Sequence, residues 1–383
     1  MKVAVLNKIS EERLLKILPG AQIVGIGDAP DVIFVRSAKV SEADLSDSLA
    51  AICRAGAGVN NIPVGLCSKR GIVVFNAPGA NANAVKELVV WALISASRNT
   101  ARAIRHSDEW TKGQGIEKIK AAYAGVELAG KAIFIVGMGV IGRLVAKACH
   151  DLGMAIHAYD PYAPAESFIG AARVVSLEKL PACDYVSLHA VFTKETEGIC
   201  NTAFFEKLRG GVHLLNFARG ELVDSSALRE GLRTGKIATY TSDFYDRAIA
   251  EEFPEEAVFL PHLGASTREA EGKSLEMVVH QFARFWSHGA IENSVNFPAC
   301  SPESPSGDLR IVVSNVNIPG MLAKITEAIS SAGCNICYLM DKSTKGNEFG
   351  YNVIDIDDAR GVAKVAELIS HIPGVTKVRV IKT

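Results

Sequence analysis

The chain has no apolar stretch long enough to cross a membrane. Its longest one runs from about Leu88 to Ala96, whereas a membrane-spanning helix needs about 20 consecutive apolar residues. The first residues, Met1 to Leu6, are typical of a β-strand rather than of a secretory signal, because they carry one charge and no cleavage-like site follows a long apolar core. We therefore expect neither a membrane partner nor secretion.

An excess of charge of one sign is also absent. The 383 residues include 41 Lys and Arg and 42 Asp and Glu, and no local run of like charge offsets this balance. Because nucleic acids and anionic membranes bind strongly basic surfaces, we expect small molecules as partners instead. The length predicts two or three domains, each with its own core.

Cysteine pairs of the kind that bind zinc are missing as well. Of the eight cysteines only Cys334 and Cys337 are closely spaced, and no second pair or histidine cluster accompanies them. We predict no bound metal and a structural role for this pair. Scattered cysteines are typical of reduced thiols, which favours a cytoplasmic location.

The chain does contain a repeated alternation of short apolar strands and helical segments, which predicts parallel sheets of the α/β class. We expect one doubly wound, Rossmann or flavodoxin-like domain at 1–93 and 272–298, and a second one inserted at 94–271. A Pro- and Ser-rich linker follows at 299–308. Residues 309–383 show the order βαββαβ, which predicts a ferredoxin-like module.

A glycine-rich segment lies between an apolar strand and a helix. Gly137, Gly139 and Gly142 form a GxGxxG pattern in that context, which is typical of dinucleotide binding. The first glycine permits a tight turn, the second lets the backbone approach a pyrophosphate, and the third lets the helix pack closely. The amides of Val140 and Ile141, at the helix start, would face the phosphates.

Asp160 ends the next predicted strand. A carboxylate at this place can accept hydrogen bonds from the ribose hydroxyl groups of a dinucleotide. Because Pro161 and Tyr162 follow instead of a basic residue, a 2′-phosphate would be repelled without compensation. The sequence therefore predicts NAD rather than NADP.

Two residues beyond this segment have the chemistry for reduction of a 2-keto acid. Arg219 lies in the segment NFARG, and His262 lies in PHLGAST. A planar guanidinium can bind a carboxylate through two hydrogen bonds, and an imidazole exchanges a proton near neutral pH. The pair predicts proton-coupled hydride transfer to a keto acid.

Together these motifs resemble the D-2-hydroxyacid dehydrogenase family over essentially the first 300 residues. The resemblance implies that Arg219 holds the substrate carboxylate and that His262 transfers the proton. It also implies binding residues in other segments. Those for NAD are His189, Ala218, Asp243 and Gly264, added to the glycine-rich segment and Asp160. Those for a substrate phosphate are Arg36, Ser37 and Asn81, and the amides of Gly56, Ala57 and Gly58 would bind the carboxylate.

One family residue is missing from its expected position. The resemblance implies a glutamate that pairs with the histidine a few residues after Asp243, and our count places Ala248 there. Three nearby carboxylates could substitute if the loop is rearranged, namely Asp246, Glu251 and Glu252. Phe244, directly after Asp243, is a further departure from the family pattern. Arg36 itself has an alternative interpretation, as a partner in a surface ion pair.

The terminal module resembles ACT domains, in which an amino acid lies between paired modules. The resemblance implies an effector site at Asn315, Asn317 and Asn335, with L-serine as the hypothetical effector and dimerisation alone as the alternative. Trp110 and Lys112 match a subunit-contact loop of the family. We accordingly expect a homodimer or homotetramer.

The resemblance implies the NAD-dependent oxidation of 3-phosphoglycerate to 3-phosphohydroxypyruvate, and its reversal, as the first step of the phosphorylated route to L-serine. A second hypothesis keeps the chemistry but changes the substrate to glyoxylate, hydroxypyruvate or 2-oxoglutarate. A third hypothesis, a non-catalytic NAD-sensing regulator, rests on the missing glutamate.

Overall fold

The computed structural model describes residues 1–7, 9–108, 120–168, 170–357 and 362–382. They divide into two compact units, Met1–Ala80 with Glu271–Thr383, and Asn81–Ala270. Trp110 and Lys112 lie outside the described residues. Among the helices of the described part, none is long and apolar enough to span a membrane.

The first unit begins with a five-stranded parallel sheet in the order β2-β1-β3-β4-β5. This order is typical of flavodoxin-like folds, as the alternating pattern predicts. One hydrophobic cluster lies between the sheet and α9, the helix Arg268–His288, from which Phe282 meets Phe34 edge to face. A second cluster covers the other face of the sheet. The strands are β1 (Lys2–Leu6), β2 (Gln22–Val24), β3 (Val32–Val35), β4 (Ala51–Arg54) and β5 (Val73–Phe75). Helix α1 (Glu11–Ile17) joins β1 to β2, and helix α2 (Val64–Lys69) joins β4 to β5.

The C-terminal segment of the first unit forms a four-stranded antiparallel sheet in the order β14-β15-β13-β16. Its elements follow the predicted order βαββαβ, so the ferredoxin-like topology is confirmed. They are β13 (Leu309–Val316), α10 (Met321–Ser331), β14 (Ile336–Ser343), β15 (Phe349–Ile356), α11 (Val362–Ser370) and β16 (Val375–Lys382).

This module packs against the C-terminal end of α9. The last carbonyl groups of a helix have no intrahelical donor and carry partial negative charge. Arg310 Nη1 donates to the His288 carbonyl at 2.9 Å, and Arg379 Nη2 donates to the Trp286 carbonyl at 3.1 Å. The Arg379 guanidinium also lies 4.1 Å from the centroid of the Phe285 ring. The module and the first sheet therefore share one hydrophobic cluster.

The second unit contains a seven-stranded parallel sheet in the order β12-β11-β10-β9-β6-β7-β8, with one hydrophobic cluster on each face. This is the predicted doubly wound α/β architecture. Helix α3 belongs wholly to this unit, whereas the sequence placed a domain boundary inside it at residue 93. The strands are β6 (Ala132–Val136), β7 (Ala155–Tyr159), β8 (Ala172–Arg173), β9 (Tyr185–Leu188), β10 (Val212–Asn216), β11 (Ile237–Ser242) and β12 (Ala257–Phe259). The helices are α3 (Ala82–Arg98), α4 (Thr100–Arg105), α5 (Val140–Asp151), α6 (Thr202–Lys207), α7 (Ser225–Arg233) and α8 (Arg247–Glu252).

Candidate active site

The glycine-rich turn joins β6 to α5, and each glycine has its own steric reason. Gly137 has φ of 101°, and a Cβ there would lie 2.6 Å from the Ala190 nitrogen. A Cβ on Gly142 would collide with the Gly137 carbonyl oxygen. Gly139 faces open space instead, so its missing side chain leaves room for a ligand rather than for protein. This is the arrangement that a pyrophosphate requires.

The start of α5 supplies the donors for such a group. Gly139 is the N-cap and provides no side-chain cap, so the first helical amides, among them those of Val140 and Ile141, lack intrahelical acceptors. They point out of the helix together with the positive end of its dipole. The predicted cofactor residues of this segment are thus together at one anion-binding helix end.

Asp160 lies at the end of β7 and is tied to the same turn. Its Oδ2 accepts from the Met138 amide at 2.8 Å, while its Oδ1 accepts from the Tyr162 and Ala163 amides at 2.9 and 3.0 Å. A carboxylate has about four acceptor positions. One position therefore remains for a ribose hydroxyl group, and the other three hold the carboxylate in place.

His189 follows β9 and contacts the turn from the other side. Its Nε2 lies 2.9 Å from Ser187 Oγ, while its buried Nδ1 has no protein partner within the described chain. Burial lowers the pKa of His189 to about 4, so the imidazole is neutral near pH 7. An orphaned polar atom beside the turn is consistent with a ligand there.

The Arg219 loop follows β10 and is shaped by Asn216, a fully buried residue. The Asn216 amide donates to the Arg219 carbonyl at 2.8 Å and accepts from the Ala218 amide at 3.2 Å. It also lies 3.3 Å from the Tyr240 hydroxyl on β11. This network fixes the backbone at 218–219. The Arg219 guanidinium is partly exposed, and its Nη1 donates to the Ala218 carbonyl of the same loop at 2.6 Å.

The His262 loop follows β12 and is held by Asp243, which is 4% exposed. The two Asp243 oxygens accept from the Leu263 and Gly264 amides at 2.6 and 2.7 Å. A side chain at Gly264 would meet this carboxylate at 2.9 Å. His262 has φ of 56°, in the left-handed region that is uncommon for residues other than glycine. The carboxylate stabilises this turn, a structural task in addition to the cofactor contact that the resemblance implies.

Phe244 lies between the two predicted catalytic loops. Its ring meets the His262 imidazole edge to face, with centroids 5.0 Å apart and an angle of 85° between the planes. A Cβ built on Gly220, the residue after Arg219, would be 3.4 Å from the Phe244 Cβ. The structure thus brings the segments of Arg219 and His262 to one aromatic side chain.

The position of the family glutamate is occupied by Ala248, which is exposed near the start of α8. The carboxylates considered as substitutes have other partners. Asp246 caps α8 by accepting from the Ile249 amide and also accepts from Ser225 Oγ, at 3.2 and 2.6 Å. Glu251 pairs with Arg247 at 2.7 Å and Glu252 with Arg229 at 2.8 Å. Among the described residues, none of these carboxylates hydrogen-bonds to His262.

The first unit carries two of the three residues assigned to a substrate phosphate, Arg36 and Ser37. Arg36 follows β3, and its Nη2 lies 2.8 Å from Glu271 Oε1 near the start of α9. The ion pair that the sequence left open as an alternative is therefore present. Ser37 is held through its amide, which donates to Asn7 Oδ1 at 3.1 Å. Its hydroxyl group makes no protein hydrogen bond among the described residues.

The loop at 56–58 is held through its carbonyl groups. Asn76 Nδ2 donates to the Ala57 carbonyl at 2.6 Å, and the Ala77 amide donates to the Gly56 carbonyl at 2.9 Å. The Gly56 amide bonds to the Arg54 carbonyl at 2.8 Å, so it is not available to a ligand as predicted. Within the described chain the amides of Ala57 and Gly58 have no protein acceptor, and these two can still bind a carboxylate.

Asn81 is the third residue that the resemblance assigns to the phosphate, and it belongs to the second unit as the N-cap of α3. Its Oδ1 is buried and has no protein partner among the described residues. An unsatisfied buried polar atom is unusual in a folded protein. It marks Asn81 as a position where a ligand or water supplies the missing hydrogen bond.

The three asparagines assigned to an effector do not converge. Asn315 is 2% exposed, and its amide bonds to the Val316 carbonyl and to Asn352, each at 2.8 Å. It cannot reach a ligand without rearrangement, because its polar atoms are already paired inside the sheet. Asn317 is exposed, and only Asn335 lines a cleft of about 430 Å³ beside α10, together with Thr326 and Glu327.

Sequence reasoning missed three residues that shape these sites. The Arg54 guanidinium lies against Gly56, and its Nε donates to the Arg36 carbonyl at 3.1 Å. Its position at the end of β4, beside Arg36 at the end of β3, was the available signal. The signal for Asn216 was local, because an asparagine at the end of a strand can hydrogen-bond the backbone two and three residues further on. Glu271 gave none, because its contact with Arg36 joins segments that are distant in sequence.

Comparison with known proteins matches this architecture to one family. Residues 91–264 match the NAD binding domain of the D-isomer specific 2-hydroxyacid dehydrogenases. The D-3-phosphoglycerate dehydrogenase of Haemophilus influenzae is 31% identical over 341 residues, covering 85% of this chain and 79% of that protein. That of Archaeoglobus fulgidus is 33% identical over 309 residues, covering 79% of this chain and 56% of that protein. The chain thus spans little more than half the length of some relatives.

A solved structure gives the same result. The 3-phosphoglycerate dehydrogenase of Entamoeba histolytica with bound NAD+ is 28% identical and superposes with a TM-score of 0.64, covering 77% of this chain and 98% of that one. The family predicted from the motifs is confirmed. The chain belongs to the D-isomer specific 2-hydroxyacid dehydrogenases, and its Asn81–Ala270 unit contains their NAD-binding domain.

Proposed function

We propose that the protein catalyses the NAD-dependent oxidation of 3-phosphoglycerate to 3-phosphohydroxypyruvate and the reverse reduction. The observation that carries this proposal is the meeting of the Arg219 and His262 segments at Phe244, in the unit with the dinucleotide turn. A carboxylate-binding cation and a proton-exchanging imidazole in that place suit a 2-keto acid. The phosphoglycerate dehydrogenases among the relatives support the choice of substrate.

In the direction of reduction, Arg219 binds the substrate carboxylate and polarises the keto oxygen. His262 donates the proton that this oxygen takes up when the carbonyl carbon receives a hydride. Reduced nicotinamide supplies that hydride when it is bound. The Asp243 carboxylate and the Asn216 amide keep the two loops in place through the reaction.

The phosphate group has donors at the ends of adjacent strands of the first unit. Arg36 follows β3, and Arg54 is the last residue of β4, where its Nε donates to the Arg36 carbonyl. Ser37 is the next residue after Arg36. Two guanidinium groups suit a phosphate dianion better than a neutral substituent. We therefore assign the phosphate to this end of the sheet.

The test is a spectrophotometric assay of NADH oxidation with 3-phosphohydroxypyruvate, hydroxypyruvate and 2-oxoglutarate. We expect the phosphorylated substrate to give the highest kcat/KM. Arg36→Ala should raise KM for it about 10- to 100-fold, since a charge-assisted contact contributes about 1.5–3 kcal/mol, and should change KM for hydroxypyruvate little. Arg233→Ala, which removes a cation from an exposed ion pair, is the matched control.

The ion pair between Arg36 and Glu271 favours a second candidate, the reduction of an unphosphorylated 2-keto acid. A phosphate must displace or tolerate the Glu271 carboxylate, 2.8 Å from Arg36, whereas an unphosphorylated substrate meets no such repulsion. Equal effects of Arg36→Ala on both substrates, with hydroxypyruvate preferred by the wild type, would support this candidate.

We further propose that the C-terminal module is an ACT domain that binds L-serine. Its ferredoxin-like topology and the cleft at Asn335 support this assignment, while the buried Asn315 requires a binding mode without that residue. Isothermal titration with L-serine should release heat in the wild type and none in Asn335→Ala. An absence of heat and of inhibition in the wild type would refute serine regulation.

The homodimer or homotetramer and the cytoplasmic location also remain proposals. Trp91 and Ile94, on one side of α3, expose 37% and 42% of their surface, and large exposed apolar side chains favour association. None of the eight cysteines forms a disulfide, which suits a reducing compartment. Sedimentation velocity would give the assembly size directly.

A further inference from the structure

We propose that Phe244 is the positioning residue of His262, in the role for which the family pattern would place a glutamate at Ala248. This inference rests on the proposed function, in which His262 exchanges the proton. Its physical basis is the edge-to-face contact between the two rings, with centroids 5.0 Å apart and planes at 85°. Aromatic pairs prefer this arrangement over a face-to-face stack.

A positioning residue must itself be fixed, and Phe244 is fixed at both its backbone and its side chain. Its amide donates to Ser242 Oγ at 3.0 Å, and Ser242 is fully buried at the end of β11. The Phe244 side chain lies against Gly220, the residue after Arg219. The Phe244 side chain therefore lies next to both the Arg219 loop and the His262 imidazole.

The His262 backbone and ring are held by different groups. Asp243 holds the backbone through the Leu263 and Gly264 amides, and this contact stabilises the left-handed φ of His262. Because it acts on backbone amides alone, this contact does not orient the imidazole about its side-chain bonds. The Phe244 ring limits that rotation without using a hydrogen bond.

This difference determines which nitrogen atoms remain available. A glutamate partner would occupy one imidazole nitrogen, whereas an aromatic ring occupies neither. Among the described residues, no side chain or backbone group hydrogen-bonds to either imidazole nitrogen of His262. Orientation by Phe244 thus leaves both nitrogens free for substrate and water.

The first experiment compares kcat and KM across variants with the preferred 2-keto acid. Phe244→Ala should lower kcat about fivefold, the range expected for loss of one aromatic contact, and leave KM nearly unchanged because Arg219 still binds the carboxylate. Phe244→Tyr, which keeps the ring, should recover most of the lost kcat. Tyr245→Ala is the matched control, because Tyr245 is 67% exposed and packs on Phe259 instead.

A double-mutant cycle separates positioning from a general structural role. If Phe244 acts through His262, Phe244→Ala should have no further effect on kcat in a His262→Ala background. An equal loss of kcat in both backgrounds, or an unchanged kcat in Phe244→Ala alone, would overturn the inference.

An NMR measurement tests the contact between the Phe244 and His262 rings independently of activity. It applies even if the wild type reduces none of the keto acids, a result that would refute the proposed function. The His262 ring signals, assigned by their loss in His262→Ala, should move in Phe244→Ala and stay in place in Tyr245→Ala, because an aromatic ring shifts protons near it. Signals that do not move in Phe244→Ala would show that the two rings are not in contact.

Discussion

Replacing Asp355 by Asn should destabilise the protein more than any change to an exposed charge. Asp355 on β15 and Arg310 on β13 form a two-point ion pair, with Nε to Oδ1 at 2.6 Å and Nη2 to Oδ2 at 2.9 Å. Both side chains are completely buried. Ser306 donates to the same carboxylate through its amide at 2.9 Å and its hydroxyl at 3.2 Å.

The expected loss of stability follows from the unpaired charge that the substitution leaves in the interior. Asn keeps the shape but removes the charge, so the Arg310 guanidinium stays buried without a counter-ion. Breaking such a pair from one side typically costs about 3–5 kcal/mol, a large part of a total stability of about 5–15 kcal/mol. With a denaturant slope of about 3 kcal/mol per molar urea, the midpoint should fall by about 1 M or more.

The assay is urea unfolding followed by tryptophan fluorescence. Trp286 lies 4.9 Å from the Arg379 guanidinium and therefore reports on the C-terminal module. Glu230→Gln, which breaks the exposed pair with Arg233, should change stability by no more than about 0.5 kcal/mol. Arg310→Met combined with Asp355→Leu should regain most of the loss, since an apolar pair needs no counter-charge. A loss below about 1 kcal/mol in Asp355→Asn would refute the assignment of a dry, fully paired site.

Three further predictions concern pH, cofactor and chemistry. Burial raises the pKa of Asp355, but hydrogen bonds from Arg310 and Ser306 outweigh it and hold the pKa below its usual value near 3.8. The ion pair therefore contributes its full stabilisation above pH 3.8, and this stabilisation is lost as the pH falls through the lowered pKa. Lowering the pH should accordingly reduce the unfolding midpoint of the wild type more steeply than that of Asp355→Asn. Gly139→Thr fills open space and still allows a helix N-cap. Measured by calorimetry, it should raise the Kd for NADH at least tenfold, or about 1.4 kcal/mol, while the urea midpoint stays unchanged. An unaltered affinity for NADH would contradict the pyrophosphate site. His262→Ala should lower kcat about 10²- to 10⁴-fold while NADH still binds by fluorescence titration, and a retained kcat would exclude His262 as the proton donor.

Local sequence patterns were sufficient for most of the sheets. Continuous apolar runs such as Val32–Val35 and Ala132–Val136 give buried parallel strands, and the change of pattern after 309 gives the antiparallel module. Gln22–Val24 and Ala172–Arg173 were missed, because they are edge strands of three and two residues without full burial. Edge strands bury one side only and leave a weak pattern.

The packing of the module could not be predicted from its own segment. In β16, Lys377 and Arg379 alternate with Val378 and Val380, a pattern that predicts charged side chains in water. The structure instead places Lys377 Nζ 2.7 Å from the Leu49 carbonyl, and burial lowers the pKa of Lys377 to about 8. The acceptors for these cations are backbone carbonyl groups, which leave no trace in a sequence pattern.

The same limit applies to the candidate site. The residue types for dinucleotide and keto-acid binding could be predicted because these motifs are local. It did not show that Glu271 pairs with Arg36, since 235 positions separate them. Phe244 was noted only as a departure from a family pattern, and its contact with His262 depends on how the loops after β11 and β12 meet.

Because the C-terminal module caps the end of α9, it cannot be removed or exchanged as an independent domain. A chain cut at the linker would leave the carbonyls of Trp286 and His288 without their arginine donors and would uncover the Phe285 ring. The same helix carries Glu271 about 26 Å away, at 1.5 Å per residue, where it pairs with Arg36. Exchange of the module between relatives would therefore require the last turn of α9 to be exchanged with it, and a truncated chain would need new surface residues there to stay in solution.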